Sequence, residues 1–430
     1  MTINLNRRAV LGGGLALGAS GLLSGCIGAS DTTAGDQNAN TGAAATIQAS
    51  FGDDKSRDAF LQIAKEFTGD PKPVVNVMAT EQLRAQLSTY LSSAEPPDIV
   101  AWYAGAVARD YADKGLLMDL SELWTGDGPC ANNSEALKTL CTDESGKQIF
   151  VPTSYYWWSI FYFKSSFEKW GVAPPTTWDE FIKLCDTLKD KGVSPLAQGI
   201  GSTPWMASGW FDYLNLRING AQFHRELLAG QHAFDDPKVA TVMDQYKRLI
   251  PYFDPNMKSY SYQEAITPMV QDKSAMFLIG AFISQSVGDK RLDDLDFFSV
   301  PPIDDAIPSA EEAPTDGFFA AAKSKNPGGA KDVLRYLAAP ETQQKNIELS
   351  GSANLPTSTE VDTSAFSPLV QKGIKLLGET KEITQFFNRD SSDALQLTAD
   401  RALGKFLDDP SDVSGILKAW QADAKKVFDQ

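Results

Sequence analysis

Histidine and cysteine are scarce in this chain of 430 residues, which has two histidines, His224 and His232, and four cysteines. A protein this poor in imidazole and thiol groups has little material for a zinc or iron site, so we expect no metal and no cofactor. Basic residues are also few, 39 against 55 acidic ones, for a formal net charge of −16. Non-specific binding of nucleic acid needs a cationic surface, so this class of function is excluded.

Long apolar runs are missing as well, except near the N-terminus. Arg7 and Arg8 precede an uncharged stretch, residues 9–23, that is rich in Ala, Gly and Leu. A basic segment followed by roughly 15 apolar residues is typical of an export signal and is short for a membrane span. The paired arginines resemble a twin-arginine signal, and LSGC at 23–26 resembles a bacterial lipobox. We therefore predict a signal peptide over residues 1–25, cleaved before Cys26, which then carries the lipid.

Small polar residues dominate positions 26–45, and bulky side chains are almost absent there. Such a segment cannot bury enough surface to fold, so we predict a flexible tether. The expected location is extracytoplasmic, with a globular body anchored by its lipid to the outer face of the cell membrane. An oxidising location favours a disulfide between Cys130 and Cys141. Cys185 lies at helical spacing with apolar neighbours and is predicted to be a small buried hydrophobe.

From residue 46 onward, short apolar strands alternate with amphipathic helices. Strands are predicted over residues 46–51, 74–78 and 98–101, then over 160–163, 274–279, 297–300 and 318–322. The βαβαβ order of the first part implies a parallel sheet covered by helices. Thr177 and Glu180 form a capping-box pattern at the start of the helix that contains Cys185. We expect two compact α/β lobes with shared crossings rather than two domains joined by a linker.

Aromatic residues cluster outside the regular core periods. Trp102 and Tyr103 follow the strand 98–101 directly, at the end where open α/β sheets bind ligands. A second cluster is YYWW at 155–158, and Trp205 and Trp210 flank small residues in a stretch predicted to be a loop. Flat rings cover the C–H face of a sugar and lose little conformational entropy when ordered. Sugar recognition is therefore one interpretation, and burial of the same rings in the core is the other.

Several motifs occur in a fixed order along the body of the chain. They are PDIV at 97–100 followed by Trp102, the segment 151–164, FEKWGVAPPTTWDEF at 167–181, GVSPLA at 192–197, SAMFL at 274–278 and DGFF at 316–319. In order and spacing they resemble the extracellular solute-binding proteins of bacterial ABC importers, in the group (family 1) of carbohydrate-binding lipoproteins. The resemblance covers the chain from residue 46 to the end, and no single motif decides it.

The resemblance implies an α/β fold of two lobes, the periplasmic-binding-protein or Venus-flytrap fold of type II, with hinge crossings. The N-terminal lobe would comprise residues 46–153 and 302–350, and the C-terminal lobe residues 154–301 and 351–430. The lobes would close on a ligand between them, so that the ligand shifts the open–closed population by its differential affinity. A membrane permease would then recognise the closed form.

The resemblance also implies the residues of the ligand site. They are Asp53, Trp102, Tyr103, Tyr156, Trp157, Trp205, Trp210, Tyr262, Asp316, Arg389 and Asp390. The sequence departs from the family pattern at Asp53 and Asp54, where relatives often carry aromatics. One of these carboxylates is expected to accept hydrogen bonds from ligand hydroxyls, and the alternative is that both only cap the next helix.

The implied function is that of the binding component of an ABC sugar importer. The expected ligand is a mono-, di- or oligosaccharide, with more than one ring favoured by the many aromatic positions. The expected partners are permease subunits in the membrane. No bond is broken, so the protein is not expected to be an enzyme.

Other classes of function stay open. A lipid-anchored glycoside hydrolase could place its two carboxylates among 55 acids, although no paired-acid signature or eightfold strand–helix count is present. A serine hydrolase would need His224 or His232, and both are predicted to lie at the surface. Another alternative is a binding protein for a polyamine, metal chelate or peptide. The last is an adhesion lipoprotein without a small ligand.

Overall fold

The computed structural model describes residues 39–429. The predicted signal peptide, the predicted lipidation site Cys26 and most of the predicted tether lie outside the described residues. Within residues 39–429, none of the helices is both long and apolar enough to cross a membrane.

The strands form two main sheets and one short pair. In chain order they are β1 (Thr46–Ala49), β2 (Val74–Val77), β3 (Ile99–Tyr103), β4 (Val151–Tyr155), β5 (Trp158–Phe163), β6 (Ser194–Ala197), β7 (Ser274–Gly280), β8 (Leu295–Phe298), β9 (Ala310–Glu312), β10 (Thr315–Ala320), β11 (Leu355–Pro356) and β12 (Glu382–Thr384). The first sheet has the order β11-β4-β10-β3-β1-β2, and the second has the order β6-β7-β5-β8. β9 and β12 form the separate pair.

The helices pack against these sheets through their apolar faces. In chain order they are α1 (Asp54–Glu66), α2 (Thr80–Ser92), α3 (Ala106–Asp113), α4 (Glu135–Leu140), α5 (Lys164–Trp170), α6 (Trp178–Asp190), α7 (Met206–Ile218), α8 (Gly220–Leu228), α9 (Pro237–Leu249), α10 (Tyr262–Val270), α11 (Asp289–Leu292), α12 (Pro327–Ala338), α13 (Pro340–Ser350), α14 (Pro368–Glu379), α15 (Asp393–Asp408) and α16 (Val413–Phe428).

The first sheet is parallel only where the sequence predicted βαβαβ. β1 pairs in parallel with β2 and β3, as predicted. β10 enters between β3 and β4 and is antiparallel to both, because the chain returns to this sheet after completing the second one. The sheet is therefore mixed. β3 also runs beyond the predicted end at residue 101, so that Trp102 and Tyr103 belong to the strand itself.

The second sheet is covered on both faces. Every residue of β5 and β7 is buried, so these strands show no alternation of apolar and polar side chains. The capping box of α6 forms as predicted: Thr177 accepts from the Glu180 backbone, and the Glu180 side chain accepts from the Thr177 backbone. Cys185 on the same helix is fully buried, which confirms its prediction as a small hydrophobe.

The predicted disulfide between Cys130 and Cys141 is not present, since both residues are free thiols. Cys130 follows a turn and Cys141 caps α4, and both pack as small apolar side chains in the core beside the first sheet. Burial raises the pKa of the Cys130 thiol to about 12. Burial likewise raises the pKa of Cys141, so both remain protonated at neutral pH.

The prediction that both histidines lie at the surface is wrong for His224, which is completely buried. It shares one face of α8 with Ala221 and Leu228, at the spacing that helical residues need to point the same way. Burial lowers the pKa of His224 to about 3. His232 is partly exposed, stacks on Phe223 and lies 2.9 Å from a Glu226 oxygen. Within residues 39–429, the polar contacts of the two histidines are with Asn215 and Asp212 for His224 and with Glu226 for His232.

Candidate functional site

A cavity of about 710 Å³ lies between the two sheets. β3, β4, β10 and the loop before α1 line one side, and the loop before α7, the start of α10 and the turn after β7 line the other. The segment that follows β12 contributes Phe386 and Arg389. The cavity brings together most of the predicted site residues, namely Asp53, Trp102, Tyr103, Tyr156, Trp205, Tyr262, Asp316 and Arg389.

Three aromatic rings on the side of the second sheet have partly exposed faces: Trp205, Tyr262 and Phe282. The ring centres of Trp205 and Tyr262 are 5.7 Å apart, and those of Tyr262 and Phe282 are 5.6 Å apart. Behind them, Trp158 and Phe386 are almost fully buried, with ring centres 4.6 Å apart. Trp205 is inclined to Tyr262 by 59° and Tyr262 to Phe282 by 73°, so these rings form an aromatic wall of tilted faces, and a single ring face is the kind of surface that covers the C–H side of a sugar.

Arg389 connects the two sides of the cavity. Its Nη1 donates to Asp316 Oδ1 at 2.7 Å, and its Nη2 donates to the Tyr156 hydroxyl at 2.9 Å. Its guanidinium carbon lies 4.5 Å from the ring centre of Tyr103. Burial alone would lower the pKa of Arg389, but Asp316 and the two tyrosines outweigh burial and raise it. The charged arginine and the partly exposed Asp316 carboxylate offer donors and acceptors to the hydroxyls of a ligand.

Trp102 and Tyr103 form a stacked pair with ring centres 4.6 Å apart. Arg84 lies over both, 5.5 Å from the centre of Trp102 and 5.7 Å from that of Tyr103. Arg84 is itself paired with Asp393 of α15 and, at 3.4 Å, with Glu81. Because both rings are nearly buried and arginines cover them, this pair leaves little open ring face for a ligand.

The positive charges of the cavity lining are neutralised within the protein, whereas no ion pair to Asp53 is present among the described residues. Both arginines of the lining, Arg84 and Arg389, are ion-paired with carboxylates. Within residues 39–429, no group of three or more His, Cys, Asp or Glu is placed to hold a metal ion. The lining therefore offers aromatic faces beside hydrogen-bond donors and acceptors, groups that can hold a ligand rich in hydroxyls.

A family comparison decides the class of protein. The sequence model for "bacterial extracellular solute-binding protein" matches residues 53–344, a span that includes both sides of the cavity. The chain belongs to this family. Members of this family are extracellular, which agrees with the extracytoplasmic location expected from the N-terminal sequence.

Relatives of this solute-binding protein have low sequence identity, but two of them match over about three quarters of their length. An ABC transporter extracellular-binding protein of Pyrococcus horikoshii is 24% identical over 343 residues, which are 76% of this chain and 75% of that protein. The alpha-glucosides-binding periplasmic protein AglE of Rhizobium meliloti is 22% identical over 336 residues, 74% of this chain and 72% of that protein. The match spans only 64% and 42% of two further relatives, from Rhizobium meliloti and Mesorhizobium japonicum.

Solved structures share the fold over nearly their whole length. The bacterial solute receptor AcbH, described as exclusively preferring β-D-galactopyranose, is 28% identical with a TM-score of 0.83, covering 89% of this chain and 99% of AcbH. RafE in complex with raffinose is 18% identical with a TM-score of 0.73, covering 89% of this chain and 99% of RafE. The solute-binding protein therefore has the mixed α/β, two-lobed fold that its sequence predicted.

Trp157 of the solute-binding protein does not reach the cavity, although the sequence placed it there. Its side chain is fully buried on the opposite side of the chain, with its ring centre 5.2 Å from that of Phe297. An extended backbone sends neighbouring side chains to opposite sides, so Tyr156 and Trp158 face the cavity while Trp157 enters the core. Trp158 is one of the rings that the prediction missed, and period-two alternation along 156–158 would have identified it.

Trp210 is also absent from the cavity, because the predicted loop over residues 199–210 ends early. α7 begins at Met206, and Trp210 lies one turn into it, 1% exposed and packed against Phe181 and Phe253. The small residues at the start of α7 predict a loop, whereas they in fact allow close packing of the helix. The Cβ of any larger residue at Gly209 would lie 3.0 Å from the Trp158 ring.

Asp390 faces away from the cavity, although its neighbour Arg389 lines it. The Asp390 carboxylate accepts from the Gln385 backbone at 3.0 Å. It lines a second cavity of about 870 Å³, together with Arg109 and Arg225. Burial raises the pKa of Asp390, and the two arginines oppose this increase.

Asp53 caps the next helix, and its expected role as a hydrogen-bond acceptor for a ligand stays a prediction. It is the N-cap of α1, accepting from the Ser56 backbone at 2.8 Å and from the Ser56 hydroxyl at 2.9 Å, and it also lines the cavity. Asp54 instead points to solvent and is paired with Arg57. The helix cap therefore fixes the orientation of the Asp53 carboxylate in the cavity lining.

Several further residues line the cavity that the sequence did not reveal. They are Arg84, Trp158, Phe282, Gln285, Asn346, Asn354 and Phe386. Arg84 lies on a helix beside the buried Leu83, and nothing in its local sequence separates it from a solvent-exposed arginine. Phe386 stands next to the predicted Arg389, so the aromatic pair at 386–387 was a usable signal.

Proposed function

We propose that this solute-binding protein is the substrate-binding component of an ABC sugar importer and that it binds a di- or oligosaccharide between its lobes. The observation that carries the proposal is the aromatic wall of Trp205, Tyr262 and Phe282. The same cavity offers the polar groups of Arg389 and Asp316. Relatives named for alpha-glucosides and for β-D-galactopyranose support a sugar ligand. A cavity of about 710 Å³ lies within the usual range for small-molecule sites.

The proposed lobes are residues 46–153 with 302–350, and 154–301 with 351–430. The division of strands between the two sheets supports most of these boundaries. The exceptions are β11, which adds Leu355–Pro356 to the first sheet, and β9, which pairs with β12 across the proposed boundary. Sugar bound to one lobe would gain contacts from the other on closure, and it would shift the open–closed population by that difference in affinity. The closed form would then deliver the sugar to permease subunits without breaking a bond.

A thermal-shift panel followed by calorimetry tests this function. The panel contains D-galactose, maltose, raffinose and chitin oligosaccharides, and we expect at least one oligosaccharide to raise Tm and to bind with one-to-one stoichiometry. Chromatography of the recovered sugar should show it unchanged. No shift with any sugar would refute sugar binding, response to D-galactose alone would refute the preference for longer ligands, and cleavage products would establish an enzyme.

We also propose that residues 1–25 are removed on export and that Cys26 carries a lipid, which keeps the receptor near its permease at high effective concentration. The motif order at 7–26 supports this proposal. In a bacterial host, the wild type should fractionate with membranes, whereas Cys26→Ala should be released. Equal membrane association of the two would contradict the anchor.

A further inference from the structure

The segment 385–391, here called the site loop, contributes Phe386, Asn388 and Arg389 to the cavity lining. The Phe386 ring centre lies 4.6 Å from that of Trp158 and 5.5 Å from that of Trp205, so it supports the aromatic wall from behind. Arg389 supplies the guanidinium that bridges the two sides. The position of the site loop therefore decides whether the rings and the charged group are correctly placed together.

Buried hydrogen bonds attach the site loop to the rest of the protein. Asp212 Oδ2, from α7, accepts the backbone N–H of Phe387 at 2.9 Å. Gln385 Nε2 donates to the Ala313 carbonyl at 2.9 Å, and its Oε1 accepts the Thr315 N–H at 3.1 Å. Asp212 is thus the contact that joins the centre of the site loop to a helix of the second lobe.

A second carboxyl group faces Asp212. The backbone N–H of Glu312, on β9, donates to the hydroxyl of Tyr213, the residue after Asp212, at 3.3 Å, and the Asp212 and Glu312 side chains interact electrostatically. Both residues are 0% exposed. Among residues 39–429, no donor reaches either oxygen of Glu312 or Oδ1 of Asp212. Two ionised carboxylates placed in this way would repel each other strongly, because solvent does not screen charges in a buried site. If one of the two groups keeps its proton, it can instead donate a hydrogen bond to the other.

The groups around this pair supply no compensating positive charge. Those facing it are Tyr213 and Arg217 of α7, His224 of α8, Tyr246 of α9, Glu311 of β9 and Asp390. Arg217 is engaged by Glu311 at 2.6 Å. His224 Nε2 is 3.9 Å from Asp212 Oδ1, and burial holds the pKa of this imidazole at about 3, so it is neutral. Both tyrosine hydroxyls donate to backbone carbonyls.

We propose that Glu312 keeps a proton, donates it in a hydrogen bond to Asp212, and through that bond acts as a positioning residue for the site loop. Asp212 is then held where it accepts the Phe387 N–H. This inference rests on the proposed function, since it concerns the placement of Phe386 and Arg389 for a sugar. It adds that high affinity requires the protonated pair.

The direction of the pH effect follows from the burial of the pair. Burial raises the pKa of Glu312 well above that of an exposed carboxyl group, and Asp212 raises it further. Burial raises the pKa of Asp212 as well. The native state therefore holds more protons than the unfolded state, and stability decreases as pH rises above about 4, the pKa of the unfolded chain. Removing the proton leaves two adjacent negative charges, which favours displacement of Asp212 and release of the site loop.

The ligand-free protein provides the first test. Glu312→Gln replaces the shared proton by a permanent N–H donor, and Asp179→Asn removes one exposed acidic group as a matched control. Urea unfolding and near-ultraviolet circular dichroism would be recorded for each protein from pH 5 to pH 10. We expect the urea midpoint of Glu312→Gln to rise relative to wild type as pH increases. The aromatic signal should change at alkaline pH in wild type and Asp179→Asn only.

Calorimetry with raffinose, or with D-galactose if raffinose gives no heat, provides the second test. Above the pKa of the pair, the wild-type Kd should rise by up to about tenfold per pH unit, because binding must then take up a proton. For Glu312→Gln the Kd should stay within about twofold across the range. Asp212→Asn, which keeps an acceptor for Phe387 and gains a donor toward Glu312, should behave like Glu312→Gln.

The outcomes separate this inference from the proposed function. Identical pH profiles of wild type and Glu312→Gln, in unfolding or in binding, would overturn the shared proton. If neither sugar binds at any pH, the proposed sugar specificity fails, while the ligand-free titration still tests the pair. A loss of the wild-type aromatic spectrum in Glu312→Gln at pH 5 would show that the glutamate serves only packing, and the inference would be abandoned.

Discussion

At the scale of single residues, exposure rather than residue type decides which aromatics can meet a ligand. Trp157 and Trp210 carry the same side chain as Trp205, yet they are 0% and 1% exposed and belong to the core. Trp205 precedes α7 and leaves part of its ring open in the cavity. A ligand can therefore stack on Trp205 without any rearrangement of the protein.

Trp205→Ala is expected to weaken sugar binding by at least about 2 kcal/mol, or roughly 30-fold in Kd, because it removes an exposed stacking face. The free energy of unfolding should change little, since this ring is partly exposed. Calorimetry and urea unfolding measure the two effects. Trp210→Phe is the matched control: it should keep the affinity and lower stability by about 1–3 kcal/mol. Retained affinity in Trp205→Ala would remove this ring from the site.

Arg389→Lys is expected to weaken sugar binding by about tenfold, because one ammonium group cannot reproduce the planar fork that contacts both Asp316 and Tyr156. The comparison variant is Arg401→Lys, whose side chain is 61% exposed and whose partner Asp423 lies 3.6 Å away. That variant should bind as wild type. Equal Kd values for all three proteins would show that the fork makes no contribution to affinity.

At the scale of elements, helix starts explain both a successful prediction and a failed one. α6 begins with a capping box at Thr177, a pattern that is complete within four residues. α7 begins after Trp205 without any side-chain cap, and its first turns hold small residues. The local sequence therefore predicts where α6 begins but not where α7 begins. The contacts of α7 with Trp158 and with the core of the second lobe stabilise it instead.

Thr177→Ala should lower the free energy of unfolding by about 1 kcal/mol, the usual value of an N-cap hydrogen bond. Sugar affinity should not change, because α6 contributes no side chain to the cavity. Urea unfolding monitored by far-ultraviolet circular dichroism measures the loss. Thr187→Ala in the same helix, which removes only a hydroxyl bonded to the Lys183 carbonyl, should cost less. A larger loss in Thr187→Ala would contradict the capping argument.

At the scale of the whole molecule, polar contacts link the two sides at the edge of the cavity. Gln285 Nε2 donates to Ser56 Oγ at 2.8 Å, and Lys55 lies 3.3 Å from Asp289. These partners come from helices that follow β1 and β7, in different sheets. The Gln285–Ser56 bond is part-buried, whereas the ion pair is exposed to solvent. Only the former is expected to contribute to closure.

Gln285→Ala and Ser56→Ala should each weaken sugar binding by about 0.5–1.5 kcal/mol, since the hydrogen bond between them joins the two sides of the cavity and would hold the proposed lobes together around a sugar. The double variant should be no weaker than either single variant, because both remove the same bond. Calorimetry on this double-mutant cycle measures the coupling. Lys55→Ala is the control and should bind as wild type, since an exposed ion pair contributes little. Additive losses in the double variant would exclude a shared contact.

Part of the fold and the site could be predicted because the relevant signals are local. The strands of the first βαβ units, the cap at Thr177 and the burial of Cys185 all follow from patterns within a few residues. His224 also had a local signal, since it falls at helical spacing with Ala221 and Leu228. The free thiols of Cys130 and Cys141 had none, because pairing depends on the relative placement of two segments that the sequence leaves undefined.

The sequence by itself determined the alternation of strands and helices, the family and the residue types of the site, because these depend on periodicity and on motifs of a few residues. Only the tertiary structure decided which side chains share a cavity. Arg84 meets Asp393 across 309 positions of sequence, and Arg389 meets Tyr156 across 233. The proton proposed between Asp212 and Glu312 also depends on burial that arises only when β9 packs against α7. Such contacts have no local pattern, since chain folding alone brings distant segments together.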